Sequence, residues 1–325
     1  MNSKLNITFS IFFLTVAILL SSIAVDAQPT IVSLSPTRTE IVYALGAEDQ
    51  LLGITTFCVF PEKIFTDIAQ NKVKVVSDFN TTNTELIDSL NPDIIITDTG
   101  FQRKIAEELR NKGYKVLHFE PKSLDEVFDD ILTIGNAIGK AKVARELVDG
   151  YIAEIEEIRS VSSTLTPIRV YMEINHMGPW AVGNDSPLED IITIAGGRNI
   201  FTDVDEGVFI TTHEDIVRSN PEVILSPIWI DAELDIDGYK GITNILEISS
   251  RPGYDATDAV LNGRVLYYDS ALLKHEGPRQ VIAIRKLAYI LHPGVFEIPE
   301  GTIPWELGNI NESLKIKKET AVQYE

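Results

Sequence analysis

Apolar positions recur at steps of three and four between Lys140 and Leu165: Ala144, Leu147, Val148, Tyr151, Ile152, Ile155 and Ile158. That spacing describes a helix with one buried stripe, and Pro167 lies just beyond its end. On either side the pattern changes. Before it, short β-branched runs at 30–35, 51–55, 73–76, 92–97 and 115–119 alternate with amphipathic segments that begin near Pro36, Glu85, Lys104 and Leu124. After it, 169–174 opens a second series, with a helix from Ser186, strands at 223–226 and 265–269, and a last helix from Gln280 to His292. Runs such as Ile94-Ile95-Ile96 suit a parallel sheet covered on both faces. This alternation predicts an α/β protein, two mainly parallel-sheet α/β lobes joined by one long backbone helix. The expected divisions are 1–27 as an export segment, 28–139 as the N-terminal lobe, 140–165 as the helix, 166–298 as the C-terminal lobe and 299–325 as a tail. A crossover helix inside one larger sheet is the alternative.

A repeat favours two lobes. The stretch from Thr84 to Ile95 and that from His213 share an acidic helix start, an apolar pair, Asn-Pro-Asp or Asn-Pro-Glu, and a β-branched strand, once one residue is dropped between Ser89 and Asn91. Thr82 with Glu85, Thr211 with Glu214 and Thr37 with Glu40 have capping-box spacing, and Asn-Pro marks the same turn in both halves.

The formal charge of -20, from 28 basic and 48 acidic residues, argues against nucleic acid or an anionic membrane surface as partner. A single cysteine, Cys58, excludes a disulfide framework and reads as a small packed side chain. His118, His176, His213, His275 and His292 lack metal-site spacing, so no metal site is expected. The run Gly135 to Lys140 is one residue short of a phosphate loop and reads as a helix break. With no nucleophile elbow either, the chain reads as a non-enzyme without a cofactor. At the start, Lys4 precedes an apolar run from Ile7 to Val25 that ends in Val25-Asp26-Ala27. It reads as an export signal or an uncleaved membrane anchor, and no cysteine follows it to carry a lipid. Both versions place the body outside the cytoplasmic membrane.

Aromatic residues collect at or just after the strand ends, where open α/β sheets form crevices: Phe57, Phe60, Phe79, Phe101, Trp180, Phe209 and Trp229. Rigid aromatic faces with few polar anchors suit a large, partly apolar ligand.

Six segments together resemble the helical-backbone periplasmic binding proteins of ABC importers for vitamin B12, ferric siderophores and haem. They are the stretch from Ile31 to Ile41, Asn91-Pro92-Asp93, Ala195 to Phe201, Arg251 to Ala256, Asn262-Gly263-Arg264-Val265 and Gly277-Pro278-Arg279. The resemblance spans about residues 30 to 295 and implies a monomer that holds a small molecule between its lobes and passes it to a permease dimer with its ATPase. It implies ligand contacts at Phe57, Phe79 and the loop from Asp98 to Phe101, and permease docking by Glu85 and Glu214. Phe209 stands nearest to an expected cleft tryptophan, while Lys274 and His275 in the loop after the last strand depart from the vitamin B12 pattern. Loop cations are few, Arg103, Lys274 and Arg279, so a corrinoid ranks before a ferric siderophore or haem. A membrane-anchored sensor with the same lobes is the competing function. An enzyme on a two-lobe fold would need cysteine ligands that Cys58 alone cannot supply.

Overall fold

The computed structural model describes residues 28–78, 81–175, 178–227, 235–236, 239–240, 245–268 and 275–297. The expectations for 1–27, for 299–325 and for Phe79, Trp229 and Lys274 fall outside these residues. No described helix is long and apolar enough to cross a membrane.

The first lobe runs Ile31–Ser33 (β1), Pro36–Ala44 (α1), Leu51–Thr55 (β2), Lys63–Ala69 (α2), Lys74–Ser77 (β3), Thr84–Leu90 (α3), Ile94–Asp98 (β4), Arg103–Asn111 (α4), Val116–Phe119 (β5) and Leu124–Ala137 (α5). Its strands form one parallel sheet in the order β3-β2-β1-β4-β5. The long helix Ala141–Ser162 (α6) follows. The second lobe starts with Ile168–Met172 (β6), Trp180–Val182 (β7), Pro187–Ile194 (α7), Gly197–Asn199 (β8), Val208–Ile210 (β9), His213–Ser219 (α8) and Val223–Pro227 (β10). It continues with Asp235–Ile236 (β11), Tyr239–Lys240 (β12), Ile245–Ser249 (α9), Asp258–Leu261 (α10), Val265–Tyr268 (β13) and Gln280–Leu291 (α11). A parallel sheet β13-β10-β6-β8 carries this lobe, and β7 with β9 forms an antiparallel ribbon beside it.

The repeat holds at constant spacing, and no residue needs to be dropped. Both α3 and α8 have seven residues and end at an asparagine in the left-handed region, Asn91 (φ 47) and Asn220 (φ 45). Proline follows each, then β4 or β10. Asparagine tolerates this conformation better than most L-residues, so it closes the helix and turns the chain into the strand. Register repeats too: Ile31, Val32 and Ser33 pair with Ile94, Ile95 and Ile96 as Val170, Tyr171 and Met172 pair with Val223, Ile224 and Leu225.

The caps differ from the expected boxes. Pro36 opens α1, which makes Ser35 the cap, and its hydroxyl accepts the Arg38 N–H. Thr82 is tied to Ser77 at the sheet edge, so the Asn83 side chain caps α3. In α8 the cap is Thr212, one residue later than expected; its hydroxyl accepts the Asp215 N–H and donates to the Asp215 carboxylate. Glu85 and Glu214 are therefore released from capping, and both are exposed at the second position of their helices.

Helix α6 buries Ala144, Val148, Ile155 and Ile158. Ile152, expected in the stripe, is exposed because it lies at the stripe's edge, about 80° from its centre at 100° per residue. The stripe packs on α5 from the first lobe and on α7 and α11 from the second. Gly135 makes the α5 contact close: a Cβ there would stand 2.3 Å from the Ala144 Cβ. One buried apolar cluster consequently runs from Ile31 and Ile94 in the first sheet, through Ile131, Val148, Ile191 and Ile284, to Val170 and Leu225 in the second.

Candidate functional site

Because each sheet is parallel, its strands end on one edge, and the loops leaving that edge carry whatever the lobe presents. Contacts between loops show the two carboxyl edges turned toward each other. Arg279, at the start of α11, donates from Nε to Glu40 Oε2 at 2.8 Å and from Nη2 to Glu40 Oε1 at 2.6 Å. Arg38 Nη1 donates to the Glu276 carbonyl at 3.1 Å. On the other side of the junction the Leu124 N–H donates to Asp190 Oδ2 at 2.7 Å, and Lys122 pairs with Asp185. The candidate cleft is the gap between these ties.

On the first lobe's edge are Phe57 and Phe60, which follow β2, and Phe101, which follows β4; their exposures are 48%, 43% and 99%. The Arg279 guanidinium lies 4.6 Å from the Phe60 ring centroid, a cation–π contact across the lobes. From the second lobe comes the β7–β9 ribbon. Trp180 is partly exposed and pairs with Ile210, which is largely exposed, as is Val208. Phe209, expected to face the cleft, instead packs edge-on against Phe201 at 5.4 Å in the second lobe's own core. Strand alternation accounts for this: Phe209 pairs with buried Ala181 on the inner face, so Val208 and Ile210 point out. The alternation was the signal, and aromatic identity outweighed it.

Asp98 also differs from the expected ligand contact. It is buried, accepts the Ser35 hydroxyl at 2.8 Å, and lies 3.4 Å from Arg38 Nε. Both contacts fall on Oδ2, and Oδ1 is buried without a hydrogen-bond partner. His275 is at the lobe junction: Nδ1 accepts from Arg279 Nη2 at 2.9 Å and lies 3.3 Å from Glu40 Oε1.

The residues that sequence reasoning passed over are charged and buried. Arg38 has no exposed surface, and around it stand Asp98, Asp130 at 3.0 Å and Glu276 at 3.9 Å. Its ring neighbour is Phe119, 5.1 Å away. Burial pushes Asp130 up to about 7 despite the opposing guanidinium, with Asp98, Glu126 and Asp129 adding to the rise. The basic side chains that the described residues bring to these edges all face carboxylates: Arg38, Arg103 with Glu120, Lys122 with Asp185, Arg251 with Glu173, and Arg279 with Glu40. Arg103 holds the Glu120 carboxyl down to about 2, so that pair stays ionised and mutually occupied.

Both α3 and α8 run from the carboxyl edge of their sheet back to the start of the next strand. Glu85 and Glu214, second in these helices, therefore stand near the carboxyl edges of the two lobes, at equivalent places in the repeat.

The sequence profile described as "Periplasmic binding protein" matches residues 31–272. An uncharacterized ABC transporter substrate-binding lipoprotein of Bacillus subtilis is 29% identical over 275 residues, 82% of this chain and 81% of that protein. A vitamin B12-binding protein of Vibrio vulnificus is 24% identical, covering 83% of this chain and 93% of its own. Among solved structures, a possible iron-binding periplasmic solute-binding protein of Staphylococcus epidermidis superposes with a TM-score of 0.66 at 27% identity, over 80% of this chain and 97% of that one.

The charge at Arg38 has a consequence for stability. In the unfolded chain Asp130 ionises near 3.8, whereas the folded protein keeps its proton until about 7. Between those values the native state binds more protons than the unfolded one, so this group's contribution to stability falls as pH rises. Urea melts at pH 4 and pH 7 should show Asp130→Asn losing less stability than the parent across that interval, by about 1–4 kcal/mol. An equal or steeper loss in the variant would contradict the assignment.

Proposed function

Since the chain belongs to the periplasmic binding protein family, we propose that it is the extracytoplasmic binding protein of an ABC importer and captures a corrinoid between its lobes. The observation that carries this reading is the set of exposed aromatic and aliphatic faces on opposed carboxyl edges: Phe57, Phe60 and Phe101 against Trp180, Val208 and Ile210. A large, partly apolar ligand offers area to such faces and needs few polar anchors. The pairing of every edge cation named above supports a corrinoid over an anionic ferric catecholate or the propionates of haem, because either anion would have to break an existing ion pair.

The test is calorimetric titration with a panel of cyanocobalamin, haemin and a ferric catecholate. Cyanocobalamin should bind, and Phe57→Ala and Phe101→Ala should each weaken it by about 1–3 kcal/mol with little change in melting temperature, since neither ring is buried in the free protein. Tight binding of haemin or the ferric chelate alone would replace the corrinoid while leaving the importer role standing.

Glu85 and Glu214 are proposed as the docking pair for arginines of the permease dimer. They stand exposed at equivalent positions of the repeat, and neither caps its helix. A pseudo-symmetric pair suits a symmetric dimer. In reconstituted vesicles the double change Glu85→Gln with Glu214→Gln should abolish stimulated transport while ligand affinity stays, with smaller defects for each single change. Intact transport would remove the docking role.

A further inference from the structure

Charge at the lobe junction is out of balance. Arg38 supplies one positive charge from α1, and three carboxyls surround it: Asp98 from β4, Asp130 from α5 and Glu276 from the segment before α11. Glu126 and Asp129 on α5 add negative charge from farther off, while Glu40 on α1 takes Arg279 in a two-point pair with His275 alongside. Lys274 lies outside the described residues. If all three carboxyls ionised, a formal charge of two negatives would remain uncompensated in a place largely shielded from water. A bound proton is the simplest relief.

The three carboxyls are not equally suited to hold it. Asp98 already accepts the Ser35 hydroxyl. Asp130 lies nearest to the guanidinium, at 3.0 Å, and gives up its own proton near 7, before Glu276 does. Glu276 is the farthest, at 3.9 Å, and it is the backbone carbonyl of this residue that takes the Arg38 hydrogen bond. About a third of its side chain is exposed, against 8% and 14% for the two aspartates, so it is the carboxyl of the three that a ligand can reach. Burial, then the Asp98 and Asp130 charges, push its carboxyl up to about 8 against the pull of Arg38.

We propose that Glu276 is a specificity-determining residue of the cleft: it presents a neutral carboxylic acid at the lobe junction and donates its O–H to an uncharged acceptor on the ligand, such as an amide carbonyl. This rests on the reading of the cleft as the ligand site. An acid in this place discriminates in two ways. It offers a donor where the neighbouring cations are occupied, and a ligand carboxylate placed there would meet Asp98 and Asp130 behind it.

Two measurements on the full chain test the proposal. The first needs no ligand. Infrared difference spectra of parent minus Glu276→Gln, recorded from pH 5 to pH 10, should contain a protonated-carboxyl band that disappears with a midpoint near pH 8. Asp130→Asn should move that midpoint down, because a repelling charge is gone. Absence of any such band above pH 6 overturns the proposal. The second is the affinity of the member of the panel that binds, cyanocobalamin in the expected case, measured from pH 6 to pH 9.5. Above the midpoint, parent affinity should fall about tenfold per pH unit, as loss of one bound proton requires. Glu276→Gln, whose amide donates at every pH, should remove that dependence, and Glu276→Ala should weaken binding throughout. A titrating band with pH-independent affinity sinks the donor role alone. If no panel member binds, the reading of the cleft has failed and the donor role goes with it.

Discussion

Everything in this molecule depends on the apolar seam along α6. A 22-residue helix alone would be a flexible strut, but here its buried stripe is shared by α5 on one side and by α7 and α11 on the other. Interior packing is dense and resists deformation, so two lobes that share one apolar cluster have no independent hinge. The Gly135 to Ala144 approach is the tightest point of this arrangement, since even a methyl group at 135 would force the helices apart. An ion pair and a hydrogen bond at the junction add direction to that seam. Arg279 with Glu40 and Leu124 with Asp190 hold the carboxyl edges facing each other at a fixed separation. A cleft built in this way has its aromatic faces set before a ligand arrives, which lowers the ordering cost of binding.

Much of the architecture was readable along the chain because it is local. The helix stripe, the β-branched runs and the two Asn-Pro turns are patterns within a dozen residues, and each appears where expected, with the repeat more regular than the alignment first suggested. Caps were read less well. Four residues that can all accept an N–H, three threonines and an asparagine, stand side by side at 81–84, and the choice of Asn83 was made by the tie of Thr82 to Ser77 at the sheet edge.

The site was legible only in part, for the same reason. Phe57, Phe60, Phe101 and Trp180 follow or begin strands, so position alone suggested them. Arg38, Glu40, Asp130 and Glu276 carry no periodic signal, because their partners are brought together from both ends of the chain: Arg279 is 239 residues from Glu40. Buried charge is expensive unless paired, and a sequence does not show its pairs. Asp98 shows the opposite error, a carboxyl at a strand end that looks available yet is buried, with Oδ2 taken by Ser35 and Arg38.

The claim that the seam makes both lobes one body can be measured directly. Spin labels on Ser89→Cys and Arg218→Cys, exposed positions at equivalent places in the repeat, would report the distance between the two lobes once buried Cys58 is replaced by alanine. Pulsed dipolar spectroscopy of the ligand-free protein should give a single narrow distribution, unmoved by saturating cyanocobalamin. A broad or two-peaked distribution before ligand is added would contradict a fixed cleft.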